Sequence, residues 1–226
     1  MSEVGERAPA PILDLFATAV HRFGSAWADL VLATLGVMAL AAAPTVVVHR
    51  TGGGLHATIT TAEVAGAIAY FTLLAIVVLR GLPASPPPSR IARSVVAAVI
   101  TGLLAFALIR LLGPLAVLPM PLLLLAVPAV AAGDRGVLGA FPAGALLAAR
   151  HFSRTWAVWL LAILFSTPIW ISVALVVLNF SVGGTQFVLT FMLAAPIIWP
   201  FSALFIRALY GDLTGRLVVA PQDRSR

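Results

Sequence analysis

Three arginines beside aromatic residues are the strongest candidates for binding chemistry in this sequence. Arg22 lies in the stretch HRFGSAWADLVL (residues 21–32), and Arg150 and Arg154 lie in RHFSRTWAVWLL (residues 150–161). A guanidinium group binds phosphate through a planar fork of N–H donors, and tryptophan is enriched at the depth of lipid headgroups. We therefore expect Arg22, Arg150 and Arg154 to bind anionic lipid headgroups where the neighbouring apolar runs enter a membrane.

Two carboxylates at the edges of apolar runs are the next candidates. An ionisable residue inside a membrane is a functional candidate by default. Glu63 follows Thr60 by three residues, however, and this is the spacing of a capping box that satisfies free N–H groups at a helix start. We favour the cap. Asp29 is expected to pair with Arg22 or to reach water, and Arg110 is expected to extend outward from the end of its apolar run.

The sequence shows no pattern that is typical of a catalytic, metal or cofactor site. His49 and His56 flank three glycines in HRTGGGLH, but zinc usually takes three or four protein ligands. These glycines lack the spacing and the lysine of a phosphate-binding loop. The chain has no cysteine and 8 acidic residues, and most of these acids fall in the tails. We therefore expect no enzymatic activity, no metal and no cofactor.

The composition indicates a protein of the lipid bilayer. Hydrophobic residues make up 61% of the 226 residues and the mean hydropathy is +1.07, whereas soluble domains are about 45 to 50% apolar. A membrane helix needs about 20 mostly apolar residues. Six stretches qualify, namely Trp27–Val48, Thr61–Leu79, Ala92–Leu112, Pro114–Ala132, Thr155–Leu178 and Phe187–Leu209. We predict an all-α membrane protein, a bundle of six transmembrane helices in a single domain over residues 1–226.

The arginines predict the orientation of this bundle, because cytoplasmic loops accumulate basic residues. Of the 14 basic residues, all arginines, only Arg50 and Arg110 fall outside the two tails and the second and fourth loops. Both termini are therefore expected in the cytoplasm, with residues 210–226 as a cytoplasmic tail at the cell membrane. The arginines are scattered between apolar runs, which favours anionic lipids as partners and excludes nucleic acid. The run MALAAAPT resembles a signal-peptide cleavage site, but the first span is long enough to be retained.

The two arginine-bearing stretches predict a pair of interfacial helices. At an offset of 129 positions they match at Phe23 and Phe152, Trp27 and Trp156, Ala28 and Ala157, and Leu32 and Leu161. An apolar stripe precedes each match, formed by Ile12, Leu15, Phe16, Ala19, Val20 and Phe23 in the first copy and by Phe141, Gly144, Ala145, Ala148, Ala149 and Phe152 in the second. We expect residues 11–24 and 138–153 to be amphipathic elbows in the membrane interface, related as a parallel pseudo-repeat. Pro142 is expected in the first turn of the second elbow. A chance match is the alternative.

The second half of the chain resembles a known membrane domain. The stretches ALLAARHFSRTWAVWLLAILF and ALFIRALYGDLTGR are similar to the bacterial membrane domain that is attached to some glycerophosphoryl diester phosphodiesterases. Leu209, Tyr210, Asp212 and Leu213 match its exit from the sixth span, whereas Gly211 replaces a usual aromatic and Thr214 a usual arginine. The resemblance implies a six-helix bundle with an arginine-bearing interfacial helix before the fifth span. It does not imply phosphodiesterase activity, because the catalytic barrel is absent.

The functional hypotheses follow from what these elements can position. The leading one is a non-enzymatic scaffold or accessory subunit for a protein partner at the cytoplasmic face. The alternative is a small transporter or lipid-handling protein with a site between the two halves, because prolines can break membrane helices around a cavity. Prolines lie within the predicted spans at positions 44, 119, 121, 128, 168, 196 and 200. An ABC-type permease subunit is a third possibility, but the loop LPASPPPSR is too short for a coupling helix.

Overall fold

The computed structural model describes residues 10–133, 135–179 and 185–215, with side chains in the last segment from residue 190 onward. All regular structure in these ranges is helical. The elements are α1 (Ile12–Arg50), α2 (Leu55–Arg80), α3 (Pro88–Leu112), a 3-10 helix (Gly113–Val117), α4 (Met120–Leu124), α5 (Ala126–Ala131), α6 (Val137–Arg150), α7 (Phe152–Leu178) and α8 (Thr185–Thr214). The all-α prediction is thereby confirmed. Arg7 and the tail at residues 216–226, which contributed to the predicted orientation, lie outside the described residues.

Within the described ranges, five helices are long and apolar enough to cross a membrane. They are α1, α2, α3 with its 3-10 extension, α7 and the part of α8 from Thr190 to Thr214. Their mean hydropathy over 18 residues lies between 1.7 and 2.5. The chain is therefore a membrane-spanning helical protein. The described ranges contain no sixth helix of this length and hydropathy.

The predicted fourth span, Pro114–Ala132, was wrong as a continuous helix. The structure divides it into the 3-10 helix, α4 and α5, and α4 and α5 together would reach only about 18 Å, against about 30 Å for the hydrocarbon. Its prolines explain the division. Pro114 and Pro121 lie in the first turns of the 3-10 helix and α4, and Pro128 is the third residue of α5. At these positions a missing N–H breaks no helical hydrogen bond, whereas one helix through all three would lose several.

The broken segment nevertheless returns along α3. The 3-10 helix follows directly from Leu112 at one end of α3. Gly133, just beyond α5, lies against the guanidinium of Arg90 in the first turn of α3, so that a Cβ on Gly133 would be 3.0 Å from Arg90 Cζ. Between these points Leu125, Val127 and other residues of the segment are almost fully buried. The segment thus runs antiparallel to α3, from its end back to its beginning.

A helix break lies just after the first predicted elbow and near the end of the second, but the two breaks differ in register. In α1 the backbone leaves helical geometry at Ala26 (φ −127°, ψ 21°), between Phe23 and Trp27. In the second elbow it leaves helical geometry at His151 (φ −112°, ψ 40°), before Phe152. The sequence offset of 129 residues would place the second break four residues later than observed. The pseudo-repeat therefore remains a prediction.

The N-terminal arm of α1, residues 12–25, uses its apolar stripe to pack against protein. Leu15 and Ala19 are 6% and 1% exposed. The Phe16 ring contacts Phe165 of α7 and Phe201 of α8 edge to face, at centroid distances of 5.8 and 5.3 Å. The periodicity was thus a correct signal for a buried face. Through Phe16 this face contacts α7 and α8, and the interfacial position of the elbow stays a prediction.

Helix α6 packs through small residues. Ala140, Gly144 and Ala148 recur at intervals of four and are buried, which allows α6 to approach the junction of α4 and α5 closely. The expected position of Pro142 was wrong: α6 begins at Val137, so this proline lies in the second turn. The last member of the predicted stripe, Phe152, is 57% exposed.

Candidate functional site

A cleft of about 550 Å³ opens where α1, α2 and α8 meet. One arginine from each helix lines it: Arg22 from the N-terminal arm, Arg80 from the end of α2 and Arg207 from α8. Asp29 is the one carboxylate in this lining. The side chains around the cleft therefore carry a formal excess of positive charge, and a concave surface of this kind attracts anions.

The position of Arg207 is determined by a glycine. Its Nη2 donates a hydrogen bond to the carbonyl oxygen of Gly81, at 3.0 Å. The guanidinium occupies the space in which a Cβ on residue 81 would lie. Gly81 directly follows Arg80 and caps the C-terminus of α2. The end of α2 therefore supplies one arginine to the cleft and holds a second one in place.

The bend at Ala26 lies between the two charged residues that α1 contributes to the cleft. Arg22 belongs to the N-terminal arm, whereas Asp29 belongs to the part of α1 that runs along α2. Asp29 was predicted to pair with Arg22 or to reach water. It is exposed, and the ion pairs of the described residues join other side chains. Within the described ranges, the guanidinium groups of Arg22 and Arg80 make no hydrogen bond or ion pair to the protein.

Arg154 has protein partners. Its side chain is 15% exposed, and its Nη2 lies 2.6 Å from Oδ2 of Asp212, whose side chain is 13% exposed. An N–H of Nη2 points at the carbonyl oxygen of Ala10, so the contact with Oδ2 is an ion pair without an aligned hydrogen bond. The other carboxylate oxygen of Asp212 accepts the N–H of Ala10 at 2.9 Å. These contacts join the N-terminal segment to α7 and α8.

The three arginines predicted to bind headgroups thus fall into different surroundings. Arg22 lines the cleft, Arg154 is ion-paired, and Arg150 is exposed at the end of α6, outside the cleft lining. Headgroup binding by these residues stays a prediction. Because Arg154 stabilises the packing of three segments, its substitution would change the fold as well as any lipid contact.

The capping box at Thr60 and Glu63 was wrong. Helix α2 begins at Leu55, so both residues lie inside the helix. Glu63 instead forms an ion pair with Arg110 of α3, with 2.5 Å between Oε2 and Nη2, and the Thr60 hydroxyl accepts a hydrogen bond from the same nitrogen at 3.1 Å. Arg110 also lies over the Phe106 ring. It therefore links α2 to α3 rather than extending outward alone.

His49 and His56 lie on either side of the turn between α1 and α2, and both are exposed. Gly52 in this turn has a φ of 83°, a conformation that favours glycine. Among the described residues, no three His, Cys, Asp or Glu side chains are close enough to hold a metal ion.

Comparison of the chain with protein-family models, curated proteins and solved structures finds no match. The resemblance to the phosphodiesterase-associated membrane domain therefore remains a prediction. Two of the residues that carry it, Leu209 and Tyr210, are buried at 1% and 2% exposure, and a third, Asp212, forms the ion pair with Arg154. These residues have structural roles in this chain.

Sequence reasoning missed two residues of the cleft, Arg80 and Arg207. From the sequence, both arginines counted only as positive charges that predict the orientation of the bundle. They are 127 positions apart, and a periodic pattern along one helix does not relate residues at this distance. The glycine after Arg80 was the one local signal, because it permits a close approach to the end of α2.

Proposed function

We propose that this protein crosses the membrane six times, with both termini in the cytoplasm. Five long helices and the broken segment at residues 113–132, which returns along α3, account for the crossings. The contacts of Arg90 with Gly133, Arg154 with Asp212 and Arg207 with Gly81 bring one set of helix ends together, which we call the arginine end. Positive residues accumulate on the cytoplasmic side, and this supports a cytoplasmic arginine end.

We further propose that the protein is a non-enzymatic scaffold or accessory subunit. The observation that carries this proposal is the filled centre of the bundle. Residues of α2, α3, α5 and α8 that are at most 2% exposed include Leu73, Leu74, Val78, Ala97, Ala98, Val127, Phe201 and Phe205. Gly102 packs so closely that a Cβ there would lie 2.7 Å from the Cα of Ile68.

A filled centre supports the scaffold over the transporter. Transporters of the repeat type bind their substrate near the bilayer midplane, between two halves that move against one another. Here α2 and α3 touch through backbone, and the cleft lies at the arginine end. A scaffold needs a well-packed bundle that presents charged surface to a partner, and the buried centre and the arginine end support this role.

The proposed topology is tested with single cysteines, because the native chain contains none. The variants Ser85→Cys and Arg135→Cys are expected to react with a membrane-impermeant maleimide from the cytoplasmic side. Thr51→Cys, Leu115→Cys and Asn179→Cys are expected to react from the opposite side. All five positions are exposed. Labelling of positions 115 and 135 from the same side would show that the broken segment does not cross, and would refute six crossings.

The scaffold proposal predicts a stable protein partner. The tagged chain, purified from native membranes in mild detergent, is expected to retain one partner in constant stoichiometry. Charge reversal at two exposed arginines, Arg93→Glu with Arg150→Glu, is expected to lower the amount of co-purified partner severalfold, because complementary charges at an interface promote association. Arg50→Glu, at the end of the bundle opposite the arginine end, is the control and is expected to leave the amount of co-purified partner unchanged. Repeated recovery of the chain alone would contradict a scaffold role.

A further inference from the structure

We propose that the cleft at the arginine end binds a phosphate group, with Arg22, Arg80 and Arg207 as its ligands. A phospholipid headgroup and free phosphate share this chemistry, and the experiment below separates them. The site goes beyond the scaffold role and does not depend on it, because its evidence is the charge, shape and depth of the cleft.

The charge of the cleft calls for an anion. Three guanidinium groups share it with the single carboxylate of Asp29. Arg207 is half-buried, and the like charge of Arg22 acts on it. Arg22 is also partly buried, whereas Arg80 is exposed. Bringing partly buried cations near one another is unfavourable unless a counter-ion compensates them. The described residues supply no such ion pair here, since their ion pairs lie at Glu63 and Asp212.

The geometry suits phosphate in particular. Arginine presents a planar fork of five N–H donors that matches the spacing of phosphate oxygens. The bond to Gly81 uses Nη2 of Arg207, which restrains the position of this guanidinium and leaves further N–H groups for a ligand. The volume of about 550 Å³ lies within the range of small-molecule sites, about 300 to 1,000 Å³. It therefore has room for more than a bare phosphate.

The apolar lining and a neighbouring tryptophan support a position of the cleft at the depth of lipid headgroups. Leu30, Val77 and Leu204 form its apolar part and are at most 6% exposed. Trp27, next to the bend at Ala26, is 59% exposed, and exposed tryptophans concentrate at the membrane–water interface. A polar lining of arginines beside an apolar one fits a molecule that joins a phosphate to a hydrocarbon part.

The main test compares two double variants with equal charge. Arg22→Gln with Arg80→Gln removes two ligands that hold no other part of the described protein. Arg93→Gln with Arg135→Gln removes two exposed arginines outside the cleft. In native mass spectrometry with phosphatidylglycerol, the first pair is expected to weaken binding roughly tenfold per arginine, because a hydrogen bond to a charged group contributes at least the free energy of a tenfold change. The second pair is expected to bind like wild type.

A glycine variant tests the third ligand without changing the charge. In Gly81→Ala the new methyl group takes the space of the Arg207 guanidinium, so Arg207 must move. Phosphatidylglycerol binding is expected to fall by about tenfold, with the same circular dichroism spectrum as wild type. Gly136→Ala, where a Cβ meets no atom within 4 Å, is the matched control.

Inorganic phosphate separates the two sources of the ligand. If millimolar phosphate stabilises wild type but not the Arg22→Gln/Arg80→Gln variant against thermal unfolding, the cleft binds free phosphate. If phosphatidylglycerol does so and phosphate does not, the ligand is a lipid headgroup. Either result supports the site. The proposed site would be overturned if wild type and both double variants bind phosphatidylglycerol equally and phosphate has no effect. It would also be overturned if both double variants lose phosphatidylglycerol binding to the same extent.

Discussion

Replacing Asp212 by alanine is expected to destabilise the protein by about 3 kcal/mol, because removing one partner of a buried ion pair leaves the other charge uncompensated. Arg154 would lose its carboxylate while remaining 15% exposed, and the N–H of Ala10 would lose its acceptor. The chain at Ala10 would then lose its polar contacts with α7 and α8. Thermal unfolding in detergent, followed by circular dichroism, measures the loss.

Two further variants show whether the ion pair is the cause. Asp14→Ala removes an exposed carboxylate from the first turn of α1 and is expected to change the stability by less than about 0.5 kcal/mol. Arg154→Met combined with Asp212→Leu is expected to recover part of the stability, since an apolar pair of similar volume often replaces a buried ion pair without loss. The backbone N–H and carbonyl oxygen of Ala10 still lack their partners in this variant. Equal melting temperatures for Asp212→Ala and Asp14→Ala would rule out the proposed role of the ion pair.

Asp212 and Arg154 also show where sequence reasoning ends. Hydropathy and arginine placement predicted a helical membrane protein, because each of these signals is local and repeats along the chain. The pairing of Arg154 with Asp212 joins residues 58 positions apart, and that of Glu63 with Arg110 joins residues 47 positions apart. Neither spacing carries a periodic signal. Thr60 and Glu63 matched a local pattern, the capping box, but in the structure both contact Arg110 of α3 instead of capping a helix.

The predicted fourth span shows a different limit. Its composition is as apolar as that of its neighbours, so a count of apolar residues includes it. The positions of Pro114, Pro121 and Pro128 were visible in the sequence and decide where helices can begin. A count of hydrophobic residues ignores these positions. They matter because proline has no N–H for a helical hydrogen bond. The same applies to the elbows, whose apolar stripes were visible but whose partners, protein or lipid, were not.

The candidate cleft was the least predictable feature. Arg22 was singled out because a tryptophan lies near it, but Arg80 and Arg207 gained their roles only when the ends of α2 and α8 met. The bend at Ala26 has no proline or glycine at its centre, and Gly24 lies two residues before it. The sequence therefore contains the cations of the site but not the geometry that brings them together.

Replacing Gly144 by leucine is expected to destabilise the protein by about 3 kcal/mol, at the upper end of the usual cost of overpacking. A Cβ at this position would lie 2.9 Å from the backbone nitrogen of Ala126 and 3.0 Å from the carbonyl carbon of Leu125. Both atoms belong to the backbone at the junction of α4 and α5, so no side-chain rotation can relieve the contact. Helix α6 must then move away from the broken segment.

Gly139→Leu in the same helix isolates this contact from the other effects of the substitution. A Cβ on Gly139 meets no atom within 4 Å, and both variants gain the same helix propensity, which is about 1 kcal/mol for leaving glycine. Gly139→Leu is therefore expected to raise the melting temperature slightly, whereas Gly144→Leu lowers it. Labelling of Ala131→Cys in each background gives a second measurement, because Ala131 at the end of α5 is fully buried. Displacement of α6 is expected to expose this end of α5 and to accelerate the reaction only with Gly144→Leu. If both leucine variants melt at the same temperature and label at the same rate, α6 does not pack against the α4–α5 junction through Gly144.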